Sequence, residues 1–454
     1  MTLKPRAPQR TTTAAAAALA GLALFAAPGP VIAQSAAPAP LRLTLDDALA
    51  RAAAASHRLG EARARQAGAE AAVVVRRRAD DPSASVSAGY TRTNHVDEFG
   101  ITQPDGRLRV IYPDIPDNYR TRLELVWPVY TAGRADALAR AAQAEADATG
   151  SDLAAVRLDL RLEVSRAYWA LVTADETVRV LEAALAYADD ALADVRTRVD
   201  AGFLPPNDVT RSEVQRARQE LLLVEARGRV ASVSVDLSRL IGVDPPASLQ
   251  PADRLEGPTA AVIDATALVA EALGQRPELT ALSLRADAVS GRIAAIAATR
   301  RPTVAFASGY DLARPNPRIF PRQEAWRDSF DLSLNVSWQF WDAGRAAADR
   351  TEAQAAATQL VERQAETESQ IRADVRKQLI ELTTSRAALV PARLAVTAAA
   401  ETRRVVDDRF EAGVATTLDV LDAQVAVLQA DLERTRVLAD IRLSEARLAR
   451  LLGR

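Results

Sequence analysis

The sequence predicts a mainly α chain with a small β part, in which a strand pair followed by a long coiled-coil helical hairpin occurs twice. Three observations carry this. About a fifth of the 454 residues are Ala, 26% are charged and only 4% are aromatic, a composition suited to long helices rather than a large packed core. Trp127 to Gly242 recurs without a gap, 211 residues later, as Trp338 to Gly453. Apolar residues seven apart run from Val164 to Val199.

The elements follow in order. Lys4, Arg6 and Arg10 precede an uncharged stretch from Thr11 to Ala27 and the small-x-small pattern Val31-Ile32-Ala33, so residues 1–33 read as a secretory signal peptide. Its removal takes away three positive charges and lowers the net charge further below −2. The first repeat then covers 34–242, a Pro-rich connector 243–261 and the second repeat 262–454. Each repeat opens with a helix, Leu45 to Ala79 and Ala265 to Arg300. Strands follow as alternation of apolar and polar residues, clearest in Phe330, Leu332, Leu334, Val336, Trp338 and Phe340. Weaker versions run through Ala84 to Tyr90, Leu123 to Val129 and Val304 to Tyr310, four strands in all. Between Tyr90 and Trp127 the first repeat carries nine extra residues in a stretch, Asn94 to Asn118, rich in Pro, Asp and Gly, as expected of a loop.

From Ala135 to about Asp200 two apolar tracks alternate. One is Val164, Leu171, Val178, Leu185, Leu192 and Val199; the other is Leu160, Ala167, Ala174, Leu181, Ala188 and Val195. Spacings of three and four make this a coiled-coil seam on a helix roughly 100 Å long. Such helices reverse only at breaks, and Gly202 to Pro206 and Gly413 to Thr417 provide them, as the tips of two hairpins.

Strands of this length and alternation also suit a membrane-spanning sheet, with Trp127, Tyr130, Trp338, Phe340 and Trp341 as interfacial aromatics. Four strands cannot close a barrel, because open edges are not tolerated in hydrocarbon and barrels start at about 8 strands, so more than one chain must contribute. A water-soluble periplasmic coiled-coil adaptor or structural protein is the alternative, and its sheet would show the same alternation. An adaptor, however, would normally carry one hairpin between β-rich halves, and this chain has two in tandem.

Chemistry is scarce. The chain has no Cys, which excludes disulfides, thiolate metal sites, a cysteine nucleophile and a lipid-bearing cysteine. His57 and His95 stand alone, without ligand spacing, and no phosphate loop or nucleophile elbow is present. No enzyme activity, metal or cofactor is expected, and a net charge of −2 argues against nucleic acid as a partner.

The duplicated plan, the opening Leu43-Thr44-Leu45-Asp46-Asp47-Ala48-Leu49, the junction Trp127-Pro128-Val129-Tyr130-Thr131-Ala132-Gly133-Arg134 and the terminal Leu451-Leu452-Gly453 resemble the TolC family of outer-membrane efflux proteins. The resemblance implies a homotrimer with a 12-stranded outer-membrane β-barrel continued by a periplasmic α-helical barrel. It implies an exit duct for a tripartite efflux or type I secretion system of a Gram-negative bacterium. Its partners would be outer-membrane lipid, a periplasmic adaptor (membrane fusion protein) and, through it, an inner-membrane pump. By the same resemblance Gly202, Phe203, Leu204, Gly413, Val414 and Thr416 would meet the adaptor, and Asp208, Asp419 and Asp422 would form acidic rings at the periplasmic aperture. Ala415 and Phe410 depart from the pattern, since the family's archetype has a basic residue and a Tyr there to lock the closed tip. Asp208 and Asp419 also have a local explanation as acidic residues at helix N-termini.

Overall fold

The computed structural model describes residues 41–244, 249–257 and 264–454; the signal-peptide segment and part of the connector lie outside the described residues. The first half runs β1 (Leu41–Leu43), α1 (Leu45–Ala55), α2 (His57–Arg77), β2 (Ser83–Arg92), β3 (Phe99–Thr102), β4 (Leu108–Tyr112), β5 (Asp117–Tyr130), α3 (Arg134–Asp200) and α4 (Asn207–Ile241). After β6 (Leu249–Pro251) the second half runs α5 (Ala265–Gln275), α6 (Pro277–Ala298), β7 (Thr303–Arg314), β8 (Arg327–Ser337), α7 (Arg345–Glu411) and α8 (Thr417–Leu451). Both α3 and α7 have 67 residues, and both α4 and α8 have 35. Among the described residues no helix is long and apolar enough to cross a membrane.

The heptad reading of α3 holds at every position. Leu160, Val164, Leu171, Ala174, Leu181, Ala188, Leu192 and Val195 are buried, and Ala167, Val178, Leu185 and Val199 are half-buried. They face more than one neighbour, because α3 packs on α4 and α8 along its lower part and on α2 and α6 nearer the sheet. The α7 helix closes the row against α8 below and α6 above. It continues through Pro391, although that residue cannot donate to the Ala387 carbonyl, and Leu389 and Ala392 on either side are buried.

Several expectations need correction. The first helix of each repeat is two helices. Ser56, in an extended conformation, ends α1 and caps α2 by accepting the Leu59 N–H. Arg276 is likewise extended between α5 and α6, but without a side-chain cap, and Pro277 disfavours a helical conformation for the residue before it. Eight strands are present among the described residues, not four. The main antiparallel sheet has the expected four, ordered β2-β5-β7-β8. The connector contributes β6, which pairs in parallel with β1 as a short strap, and the Asn94–Asn118 stretch contains the β3–β4 hairpin. The β8 strand ends at Ser337, so Trp338 and Phe340 lie just beyond it.

The strap closes the largest core cluster. Leu43 and Leu249 cover Tyr168, Leu171 and Leu237, and the Tyr168 hydroxyl lies 2.6 Å from Asp253 Oδ2 and 3.0 Å from the Leu43 carbonyl oxygen. Near the chain's end Arg450, 9% exposed, pairs with Asp159 of α3 at 2.7 Å and with Glu278 of α6 at 2.5 Å, clasping the two halves together. At the upper ends of α3 and α7, Ala132-Gly133 and Ala343-Gly344 all have φ between 52° and 88°, the paired left-handed turn that sends strand into helix.

Candidate functional site

The main sheet is inside out. The pairing register puts Val86, Tyr90, Leu123, Leu125, Trp127, Phe306, Tyr310, Leu312, Phe330, Leu332, Leu334 and Val336 on one face. The opposite face carries Ser85, Ser87, Arg120, Arg122, Glu124, Gly309, Asp311, Asp331 and Ser333. In a water-soluble protein the apolar face would be covered. Here Phe330 is 71% exposed and Val336 67%, whereas Asp311 is 5% exposed, covered by Arg120 and Arg122 at 2.6 Å each. A contiguous exposed apolar surface of this kind marks an interaction with lipid or another apolar partner.

Aromatic residues bound this face at both ends. Trp127, Tyr130, Trp338, Phe340 and Trp341 are all exposed at the end next to the helices, where Trp338 Nε1 donates to the Arg300 carbonyl at 3.1 Å. The sequence reading missed a second group at the far end, Tyr90, Tyr119 and Trp326, with successive ring centroids 5.0 and 5.9 Å apart. Nothing in local spacing links them, because strand pairing brings them together. From Tyr119 to Tyr130 the strand rises ~36 Å, or about 25–30 Å once tilted as barrel strands are, which is the height of a hydrocarbon layer.

At the other pole are the hairpin tips. Gly202 and Gly413 take φ of 79° and 75° and close α3 and α7 in the same way. The Gly N–H donates to Val199 or Phe410, and the next N–H, of Phe203 or Val414, reaches Arg198 or Arg409 at 2.8 Å. Phe203 is left 81% exposed, Val414 is also exposed, and Leu204 tucks into a small cluster around Val195, Phe410 and Val420. Thr416 caps α8 in a reciprocal capping box with Asp419. The Thr416 backbone and hydroxyl donors hold the Asp419 carboxyl below its usual range. Asp208, in the first turn of α4, accepts from the Thr417 hydroxyl at 2.9 Å and so ties one tip to the other. Asp422 lies one turn further along α8, exposed.

Sequence reasoning also missed how the two tips are joined. Arg198 of α3 stacks 4.7 Å from the Phe410 ring centroid and donates to the Phe410 carbonyl at 3.0 Å. Higher up, the Tyr187 hydroxyl donates to Asp407 at 2.5 Å, beneath the Arg403 guanidinium. Burial, then the Asp407 bond, push this phenol above its ordinary range. Phe410, which stands where the resemblance calls for Tyr, is the ring that Arg198 of the other hairpin covers.

Comparison with known proteins agrees with this architecture. The family model for outer membrane efflux proteins matches residues 48–243 and 268–454. The pyoverdine export outer membrane protein OpmQ of Pseudomonas aeruginosa is 25% identical over 413 residues, covering 90% of this chain and 82% of that protein. The cobalt-zinc-cadmium resistance protein CzcC of Cupriavidus metallidurans is 29% identical over 150 residues, and the chain spans only 36% of its length in that match. Among solved structures, the outer membrane protein VceC of Vibrio cholerae superposes with a TM-score of 0.73 at 19% identity, covering 90% of this chain and 96% of that one, and so shares the fold.

Proposed function

The chain belongs to the outer membrane efflux protein family, and from that premise we propose that it is the exit duct of a tripartite efflux or type I secretion system, a passive channel through the outer membrane and across the periplasm. The observation that carries this is the inverted sheet. Its apolar face, bounded by aromatics at both ends, suits lipid, and its charged face suits an aqueous lumen. A soluble adaptor would leave that apolar face in water.

One chain leaves the structure open. The β2 and β8 strands are the unpaired edges of the sheet, and α2 with α4 on one side and α7 on the other are the unpartnered sides of the helical row. Exposed apolar residues line both sides: Val74, Val75, Leu221 and Val224 on the first, Ile380, Val390 and Leu394 on the second. Pairing β8 of one copy with β2 of the next, and α7 with α2 and α4, closes a ring. Three copies give a homotrimer with 12 strands, the number that the family resemblance implies.

The tips are the periplasmic end. Asp208, Asp419 and Asp422, repeated around the threefold axis, form acidic rings that favour cations. Relatives named for cobalt-zinc-cadmium resistance and for pyoverdine export share this plan, so we assign the choice of cargo to the pump. Reconstitution in a planar bilayer tests the reading. Detergent-extracted protein should form cation-selective channels, and Asp422→Asn should weaken selectivity and divalent block several-fold. Recovery of the protein as a soluble periplasmic species without detergent would overturn the duct.

Adaptor docking makes its own prediction. Phe203→Glu combined with Val414→Glu places charge on the two most exposed apolar residues of the tips. Loss of such anchors should cut export and adaptor co-purification by about tenfold or more. The amount of duct in the outer membrane should not change. Full adaptor binding by this variant would remove the tips from the interface.

A further inference from the structure

The connection between β7 and β8, residues 315–326, does not extend away from the sheet. Asn316 is 2% exposed, and its amide donates to the Arg327 carbonyl and to Ser329 Oγ, both at 3.0 Å. Arg318 turns back along the charged face, donating to the Phe330 carbonyl at 2.6 Å and pairing with Asp331 at 3.1 Å. Asp331 is in turn held by Arg122 at 3.1 Å. Gly309 makes room for that arginine, since a Cβ there would come within 2.2 Å of its guanidinium. Pro315, Pro317 and Arg322 of the connection line a cavity of about 390 Å³ together with Ser87, Gly89 and Arg120. Arg322 also donates to the Tyr112 hydroxyl at 2.9 Å, so the connection is fastened to the β3–β4 hairpin as well. All of this lies at the end of the sheet opposite the helices.

We propose that residues 315–326 form a second constriction, at the outer mouth, fastened over the lumenal face by Arg318 on Asp331 and Asn316 on Ser329. This rests on the duct reading, which makes the charged face a lumen. Each copy in the ring contributes one such segment. Within the cluster Arg120, Arg122 and Arg318 are paired with Glu124, Asp311 and Asp331, and Arg322 bonds the Tyr112 hydroxyl. The mouth restricts by size, and the acidic tip restricts by charge.

The absence of Cys makes a clean test possible in the full-length protein. Ser87→Cys reports from beneath the segment, and Asp105→Cys reports from the β3–β4 turn. Intact cells are treated with a maleimide on a polyethylene glycol chain too large for general porins. Asp105→Cys should label rapidly whether residue 318 is Arg or Ala. Ser87→Cys should label slowly with Arg318 and about tenfold faster with Arg318→Ala, the change expected when a charge-assisted contact holding a closed segment is lost. Asp331→Asn should act in the same direction. Equal Ser87→Cys rates in all backgrounds, with the Asp105→Cys control labelled, would overturn the mouth and leave the duct standing. An Asp105→Cys control that does not label from outside would overturn the duct and the mouth together.

Discussion

Val390→Glu together with Leu394→Glu should abolish assembly of the ring. These residues are 72% and 68% exposed in the single chain and lie on α7, whose neighbours in the protomer are α5, α6 and α8. In the proposed ring, α7 would meet α2 and α4 of the next copy, so two carboxylates would enter an apolar seam once per subunit. An unpaired buried charge costs several kcal/mol, and the cost recurs at every seam around the ring. The particle mass of detergent-extracted protein, measured by light scattering, should fall from that of a trimer to that of a single chain. An unchanged trimer would place the seam elsewhere.

Tyr168→Ala should destabilise the fold by about 3–5 kcal/mol, the range for removing a fully buried aromatic side chain. Tyr168 is 0% exposed, and its ring joins α3 to the β1–β6 strap. Burial and the hydrogen bond to Asp253 both push its phenol above the usual range, so it stays neutral and keeps its proton for the contact. Tyr168→Phe keeps the packing but deprives the Asp253 carboxylate and the Leu43 carbonyl of a shared donor, and should cost about 1–3 kcal/mol. Denaturant unfolding followed by circular dichroism measures both. Fluorescence of Trp169, whose ring sits edge-on to Tyr168 at 5.6 Å, reports the same site. Equal stabilities for the wild type and Tyr168→Ala would mean that the strap does not hold the helices.

The parts of the fold legible in the sequence are those set by local periodicity. The heptad of α3 alone predicts which side chains are buried, because neighbours on one helical face must all meet a partner. Alternation in β8 likewise separates Phe330 and Leu332 from Asp331. Gly202 and Gly413 mark the tips because left-handed caps demand them. The breaks at Ser56 and Arg276 were less visible. One is a single Ser in an Ala-rich run, and the other leaves its signal in the following Pro277. The β1–β6 strap has three residues in each strand, too short for any alternation to register.

The candidate site divides along the same line. Exposed tip residues such as Phe203 follow from their turns, but Arg198 carries no mark in the sequence that directs it to Phe410, which is 212 residues away. Arg122, Asp311 and Asp331 belong to three strands, and only the β5-β7-β8 order brings them together.

The duplicated plan, the long hairpins and the amphipathic strands could be read from the sequence, because each is written in the spacing of residues along the chain. Which face of the sheet is covered, how the two tips are tied and where residues 315–326 lie emerge from the folded chain alone, because these depend on pairing and packing between segments up to about two hundred residues apart. Burial depends on all neighbours at once, and it exposed Phe330 while covering Asp311.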